Sequence, residues 1–343
     1  MKFSIVIIFL FLGVVSCEIQ KNDKNIVYLE KEAEYSLGSS FFIPRDICLL
    51  DSFLLIRDNG NSHFFSAFWK KDMKDIVATY GQRGVGPNEY IFPEIMRKKD
   101  NIIYVFDRAL GRIGQIEIIQ GKRGLNHFSY GENALLAGLN NLNIINDSTF
   151  VGLTYANKSR YVVLCGDSLY NQGINYPKDG YNASDAQKSL VYQGILLKHP
   201  LDNRFVFTSQ YGKILEILQL KNNELNLLFS RNEIYPQYKP IDNAQEITAN
   251  FTPNNITGCL CAVVSCKYIY MLTSGKTIKD KNKNFSNLIE VYDWEANYIK
   301  SIMTEEKLSS FCIDETEMML YGITYDESED IEPRLLLYKL DNL

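Results

Sequence analysis

The sequence is poor in the residues from which most catalytic and metal centres are built. Only three histidines occur in 343 residues, His63, His127 and His199. All three lie in or beside predicted turns and none belongs to a ligand-spacing motif, so no metal is expected. No Gly-x-Ser-x-Gly elbow, His-Glu-x-x-His pair or comparable nucleophile motif is present. Basic residues number 36 against 41 acidic ones, and no basic stripe appears, which argues against a nucleic-acid partner. Long amphipathic helices are also missing; Ser184 to Gln193 alone reads as a short one. Beyond the N-terminus, no apolar run is long enough to span a bilayer.

The chain does have a pronounced N-terminal pattern. Lys2 gives a short cationic start, Phe3 to Val15 an apolar run, and Val14-Val15-Ser16-Cys17 closes it with small Ser16 at the cleavage position. The pattern is that of a bacterial lipobox. It predicts a signal peptide over residues 1–16, with Cys17 as the lipidated first residue of the mature chain. Residues 17–25, polar and rich in Asn and Lys, then form a tether, and 26–343 form the folded body. Several acyl chains on one cysteine anchor firmly, since each buried methylene contributes about 0.8 kcal/mol. Residue 18 is Glu rather than the Asp that retains many lipoproteins in the inner membrane, so an outer-membrane destination in the cell envelope is expected. Six further cysteines, Cys48, Cys165, Cys259, Cys261, Cys266 and Cys312, are too scattered for a disulfide framework.

After processing, about 325 residues remain, ample for a large core. From residue 26 onward, short β-branched and aromatic runs alternate with Asn, Asp and Gly clusters. Phe53 to Arg57, Ile102 to Phe106, Thr149 to Leu153, Arg204 to Thr208 and Leu335 to Leu340 are examples. Turn residues every 8 to 12 positions or so argue for an all-β domain. The groups repeat at about 40 to 50 residues, the period of a propeller blade. Starts near Pro44, Pro93, Asn140, Leu196, Asn254 and Leu308 predict a six-bladed β-propeller of four-stranded antiparallel blades. The strand-like Asn25 to Leu29 is expected to close the ring by joining the last blade beside Arg334 to Leu340.

One stretch is more specific. Tyr80-Gly81-Gln82-Arg83-Gly84-Val85-Gly86-Pro87-Asn88-Glu89-Tyr90, followed by Pro93, resembles the signature of the TolB-like six-bladed propeller lipoproteins. In that family the signature marks the passage from first to second blade, and Ile103 to Arg108 resembles the second-blade strand. The resemblance implies a binding or scaffolding domain and brings no catalytic constellation and no cofactor.

Other motifs have plainer readings. The glycines of Gly81 to Gly86 lack the helix and lysine of a phosphate cradle and suit a tight interblade passage, with Glu89 accepting loop amide hydrogens. Ser274-Gly275-Lys276-Thr277 imitates a Walker A ending, but Tyr270 stands where glycine is required. In Cys259-x-Cys261-x4-Cys266, strand alternation puts 259 and 261 on one face and 266 on the other, which spoils a tetrahedral site; a Cys261–Cys266 disulfide stays open. Asp326 to Asp330 lacks calcium-loop spacing and reads as a solvated hairpin tip.

Two long insertions are the candidate binding elements, because loops above roughly 12 to 15 residues are uncommon without a role. Tyr170 to Gln193 carries Tyr176, Tyr181 and Tyr192, and Arg231 to Asn255 carries Tyr235, Tyr238 and Phe251. Their rings either face a ligand or pack on the propeller rim and order the loops. The expectation is an exported, membrane-anchored lipoprotein whose non-catalytic propeller binds an envelope protein, peptide or glycan. Two alternatives stand beside it: a lyase or hydrolase working in the central funnel, and a structural subunit of an envelope complex. Convergent polar groups at the funnel mouth would favour the enzyme, an exposed tyrosine patch the binding module.

Overall fold

The computed structural model describes residues 25–340 apart from 39–40, 100, 119–133, 137, 155–158, 244–245, 315, 317 and 327–330. Cys17 and His127 fall outside the described residues, as does most of the acidic run Asp326 to Asp330. Six antiparallel sheets follow one another along the chain, with inner strands Pro44–Leu49, Pro93–Lys99, Leu139–Asn146, Gly194–Lys198, Cys259–Val264 and Ser310–Asp314. They are the blades of a six-bladed propeller. Five have a four-stranded antiparallel order or extend it by one parallel strand, and the second shows three strands among the described residues. A two-stranded hairpin, Tyr238–Asn243 with Glu246–Phe251, is inserted between the fourth and fifth blades. Among the described residues no helix is long and apolar enough to cross a membrane.

The apolar runs have their explanation in the interblade packing. In Phe53–Asp58, Phe53 and Leu55 enter the cluster shared with the second blade, whereas Leu54 and Ile56 enter the one shared with the sixth. Leu335 and Leu337 face the first blade, and Leu336 and Tyr338 face the fifth. Successive side chains of a strand point to opposite faces, and here both faces are covered. Six clusters of this kind fill the six interblade interfaces, including the one between last and first blades. An ion pair between Lys70 and Asp314 adds a polar tie across that closing interface.

The closure itself differs from expectation. Ile26–Leu29 pairs parallel with Tyr298–Leu308 on the outer edge of the fifth blade. It is the next segment, Lys31–Ser36, that completes the sixth blade by antiparallel pairing with Ile331–Lys339. The outermost strand of a blade is half solvated, so the alternating segment Lys-Glu-Ala-Glu-Tyr-Ser fits it better than an apolar run does. Lys31, Glu34, Glu306 and Arg334 join these elements in a closed ring of four ion pairs.

A repeated staple sets the entry to the first two blades. Asp58 accepts the amides of Phe42, Ile43 and Gly60 at 2.8, 2.9 and 2.7 Å. Asp107 does the same for Ile91 at 2.6 Å and for Ala109 and Leu110 at 3.0 and 3.1 Å. Pro44 precedes Asp58 by the same interval as Pro93 precedes Asp107, so each buried carboxylate fixes the chain just before an inner strand starts.

The glycine-rich passage is structural. Glu89 Oε2 accepts the Gly86 amide at 2.7 Å, and Arg112 donates to the carbonyls of Gly86 and Glu89. Gly84 takes a backbone conformation that side chains rarely adopt, φ +152°, and a Cβ there would lie 2.0 Å from Glu89 Oε2 and displace that carboxylate. Lys276 of the Walker-like stretch donates to the carbonyls of Asn282 and Phe285 at 2.8 Å each, closing its own loop.

Candidate functional site

Each blade presents its inner strand to the propeller axis, so the first residues of six strands meet at one end. They enclose an open funnel of about 630 Å³. Below it, and sharing Asp46, Arg57, Glu94 and Asn141 with it, runs a channel of about 470 Å³. Ile47, Ile95, Leu142, Leu197, Val263 and Ile313 make the channel wall largely apolar. The funnel is polar by contrast, and its volume lies within the range usual for ligand pockets.

The first two blades supply all the charges of the funnel but Lys283. Arg57 Nε lies 2.5 Å from Asp46 Oδ2, and Arg57 Nη1 donates to Asn59 Oδ1 at 2.9 Å and to the Pro93 carbonyl at 3.1 Å. Glu94 accepts the Asn141 amide at 3.2 Å and sits 3.9 Å from Arg108, which also lies over the Phe92 ring. Burial pushes the Glu94 carboxyl above its ordinary pKa, and nearby Arg108 only partly offsets this. Arg45 is exposed at the rim. Lys283 Nζ donates to the Ile278 carbonyl at 2.8 Å from the opposite side. Asn141 sits in the left-handed region at φ 48°, a conformation Asn tolerates. Its carbonyl accepts from Asn143, which in turn donates to Leu196 and ties the third blade to the fourth.

The two insertions come together on the fourth blade beside this funnel. Ser184 caps the helix Asp185–Val191 with a capping box to Gln187. Gln187 Nε2 then donates to the carbonyls of Ile241 and Thr248 in the inserted hairpin, at 2.9 and 3.3 Å. Asp179 is the hub. Its Oδ2 accepts the hydroxyls of Tyr192 and Tyr238 at 2.8 Å each, its Oδ1 accepts the Tyr181 amide, and Lys188 lies 3.5 Å away. Burial works against the Asp179 charge, but those donors outweigh it and hold the carboxyl below its usual pKa.

The six aromatic candidates thus divide. Tyr176, Tyr192 and Tyr238 are buried, with Tyr176 against Tyr192 at 5.8 Å, so they order the insertions and do not face a ligand. Tyr181 is exposed over Tyr238 at 4.5 Å, and Tyr235 is half-buried against the same core. Of the six, only Phe251 reaches the funnel, its ring tilted against that of Tyr211 with centroids 4.1 Å apart. Sequence reasoning missed Arg45, Arg57, Glu94, Arg108 and Asn141. The signal available for Arg45, Arg57, Glu94 and Arg108 was the repeated Pro-to-Asp interval of the first two blades, which marks where their inner strands begin; Asn141 had no such signal.

The sulfur and histidine motifs are structural as well. A bulge between Cys259 and Cys261 breaks the alternation assumed for them. Cys259 therefore enters the interface with the fourth blade, and Cys261 packs toward the sixth. All six described cysteines are free, so Cys261 and Cys266 are not bridged. Burial pushes the Cys259 thiol far above its usual pKa and that of Cys261 up to about 11, which makes both poor nucleophiles. His199 accepts the amides of Leu201 and Asp202 at Nδ1 while Nε2 lies 3.1 Å from the Cys266 carbonyl, a loop-holding role. Among the described residues, no cluster of His, Cys, Asp or Glu is arranged to hold a metal.

The profile of the family described as "TolB-like 6-blade propeller-like" matches residues 24–316. Among solved structures, a Bacteroides fragilis protein described as exported aligns at TM-score 0.54 and 15% identity, over 92% of this chain and 100% of that one. A member of the DUF4221 family from Bacteroides vulgatus aligns at TM-score 0.57 and 10% identity, over 91% and 97%. At such identities these two establish similarity of fold. No protein with a curated function matches the chain.

Proposed function

The chain belongs to the TolB-like six-bladed propeller family, and on that footing we propose that it is a non-catalytic binding module of the cell envelope. Its funnel receives a short segment of a partner polypeptide. The observation that carries this reading is the convergence of six inner strands on one open cavity of about 630 Å³, rimmed by Asn140, Asn141, Gln193, Gln210 and Asn284. Side-chain amides offer a donor and an acceptor each, which suits an extended backbone that needs both. The insertion cap sets one wall of the cavity through Phe251 and Gln193. Export and anchoring through Cys17, with residues 17–25 as the tether and an outer-membrane destination, complete the proposal.

The polar funnel also supports the rival reading of an enzyme, with Glu94 as its general acid because burial raises that carboxyl. Such an acid needs a base or nucleophile opposite. Asp46 is held by Arg57 at 2.5 Å, and the Cys259 thiol is kept protonated by burial. Binding is therefore the better-supported role.

The test is selection of a displayed random-peptide library on the mature domain, with a funnel variant, Asn141→Asp with Gln210→Arg, as counter-selector. Peptides retained by the parent and lost by the variant support the reading; peptides retained by both, or none at all, refute it. For the anchor, Cys17→Ala is expected to abolish lipid processing and shift the protein from the membrane to the soluble fraction. Unchanged partitioning would refute lipidation.

A further inference from the structure

We propose that the segment taken up by the funnel is acidic, with its carboxylates held by Arg45 and Arg108; this rests on the funnel being the binding site. The chain as a whole carries a formal net charge of −5. At the funnel the sign is reversed: Arg45, Arg57, Arg108 and Lys283 face only two carboxylates, Asp46 and Glu94. A cleft of one sign with low-dielectric walls focuses its field and draws in ligands of the opposite sign.

The four cations are not equivalent. Arg57 is spent on structure, since it is saturated by Asp46, Asn59 and the Pro93 carbonyl, and Lys283 is turned onto its own loop. Arg108 is only loosely committed, 3.9 Å from a Glu94 carboxyl that burial favours in its neutral form, and its side chain is substantially exposed. Arg45 is exposed at the rim, and the ion pairs among the described funnel residues leave it uncommitted. Arg45 and Glu94 each follow a blade-opening proline, Pro44 and Pro93, so they occupy equivalent positions in adjacent blades. A ligand at the funnel mouth therefore meets Arg45 and the Arg108–Glu94 pair side by side, on adjacent blades. A guanidinium fork matches a carboxylate in two parallel hydrogen bonds, which a lysine cannot do. The amides of Asn140, Asn141 and Gln210 around these arginines suit a peptide backbone between the acidic side chains, which favours a polypeptide over an acidic glycan.

The experiment measures fluorescence anisotropy of labelled glutamate-rich, lysine-rich and glycine/serine peptides of equal length, with oligogalacturonate as a competitor. The glutamate-rich peptide is expected to bind, to weaken with added salt, and to lose about tenfold affinity with Arg45→Gln and again with Arg108→Gln. Arg45 is exposed and joins no ion pair among the described residues, so Arg45→Gln is expected to fold as the parent does, which its thermal unfolding checks. Equal binding of the uncharged or basic peptide, or no change in Arg45→Gln, overturns the proposal. Binding of oligogalacturonate with no binding of the glutamate peptide assigns the carboxylate to a glycan and overturns the polypeptide part. Library peptides that depend on the funnel but show no enrichment in Asp or Glu overturn the acidic preference alone, leaving the funnel as the binding site.

Discussion

The interface between the third and fourth blades contains a charged group that only its partner makes tolerable. Arg160 and Glu216 are each 2% exposed, and Arg160 Nη2 reaches the two carboxylate oxygens at 2.7 and 2.5 Å. The Tyr161 hydroxyl donates to the same carboxylate, and the guanidinium lies 4.7 Å from the Phe207 ring centre. Glu216→Gln keeps the shape and removes the counter-charge, leaving a buried cation. Removing one partner of a buried pair costs about 3–5 kcal/mol, a large share of the roughly 5–15 kcal/mol that stabilises a folded domain. Urea unfolding followed by intrinsic fluorescence is expected to show a midpoint lower by about 1 M or more. The triple variant Arg160→Met, Tyr161→Phe, Glu216→Leu removes charge and polar partners together and is expected to be more stable than Glu216→Gln, because an apolar replacement of a buried pair is often neutral. A loss below about 1 kcal/mol for Glu216→Gln would refute this reasoning. So would a triple variant that unfolds as early as the single one.

Asp107→Ala removes the acceptor for the amides that open the second blade, and is expected to cost about 3 kcal/mol because hydrogen bonds to charged groups are worth roughly 1.5–3 kcal/mol; thermal unfolding of the variant checks it. Asp179 has a folded pKa below its unfolded one, so its contribution is complete above the unfolded value near 3.8 and is lost as pH falls through the lower folded value. Hydrogen-exchange protection over residues 172–193 and 235–251, referred to the intrinsic rate at each pH, should therefore fall on acidification before that of the inner strands, and a uniform response would contradict the hub. Cys266 is exposed while Cys259 and Cys312 are buried, so an aromatic disulfide reagent should modify Cys266 in the native protein and reach those two only on unfolding.

The blade architecture was legible because both faces of a propeller strand are buried, which gives unbroken apolar runs such as Phe53 to Ile56 at a constant period. The starts read at Pro44, Pro93, Asn140 and Leu196 fall within two residues of the observed inner strands, and Asn254 precedes Cys259 by a short loop. The outer strands were harder to read. Lys31–Ser36 is polar because one of its faces is wet, and an apolar criterion selects Ile26–Leu29 instead. The bulge at Cys259 defeated strict alternation, as a local register shift must. The insertions were found by length, but Tyr192 and Tyr238 proved to be internal because Asp179 supplies a buried acceptor for their two hydroxyls. The funnel residues were hidden for a different reason. They come from separate blades, far apart in sequence, and only the closed ring brings Arg45, Arg108, Asn141 and Phe251 around one cavity.

The place where a partner meets the propeller decides whether the funnel is the binding site. A photo-crosslinking p-benzoylphenylalanine installed in place of Tyr211, an aromatic residue that lines the funnel, samples that cavity without removing Arg45 or Arg108. The same group in place of Leu201, 80% exposed in the turn at the far end of the fourth blade's inner strand, samples the opposite face. On irradiation in the native envelope fraction, a discrete protein adduct is expected from position 211 and none from position 201. An adduct from position 201 alone would place the partner on the wrong face and contradict the funnel as the binding site.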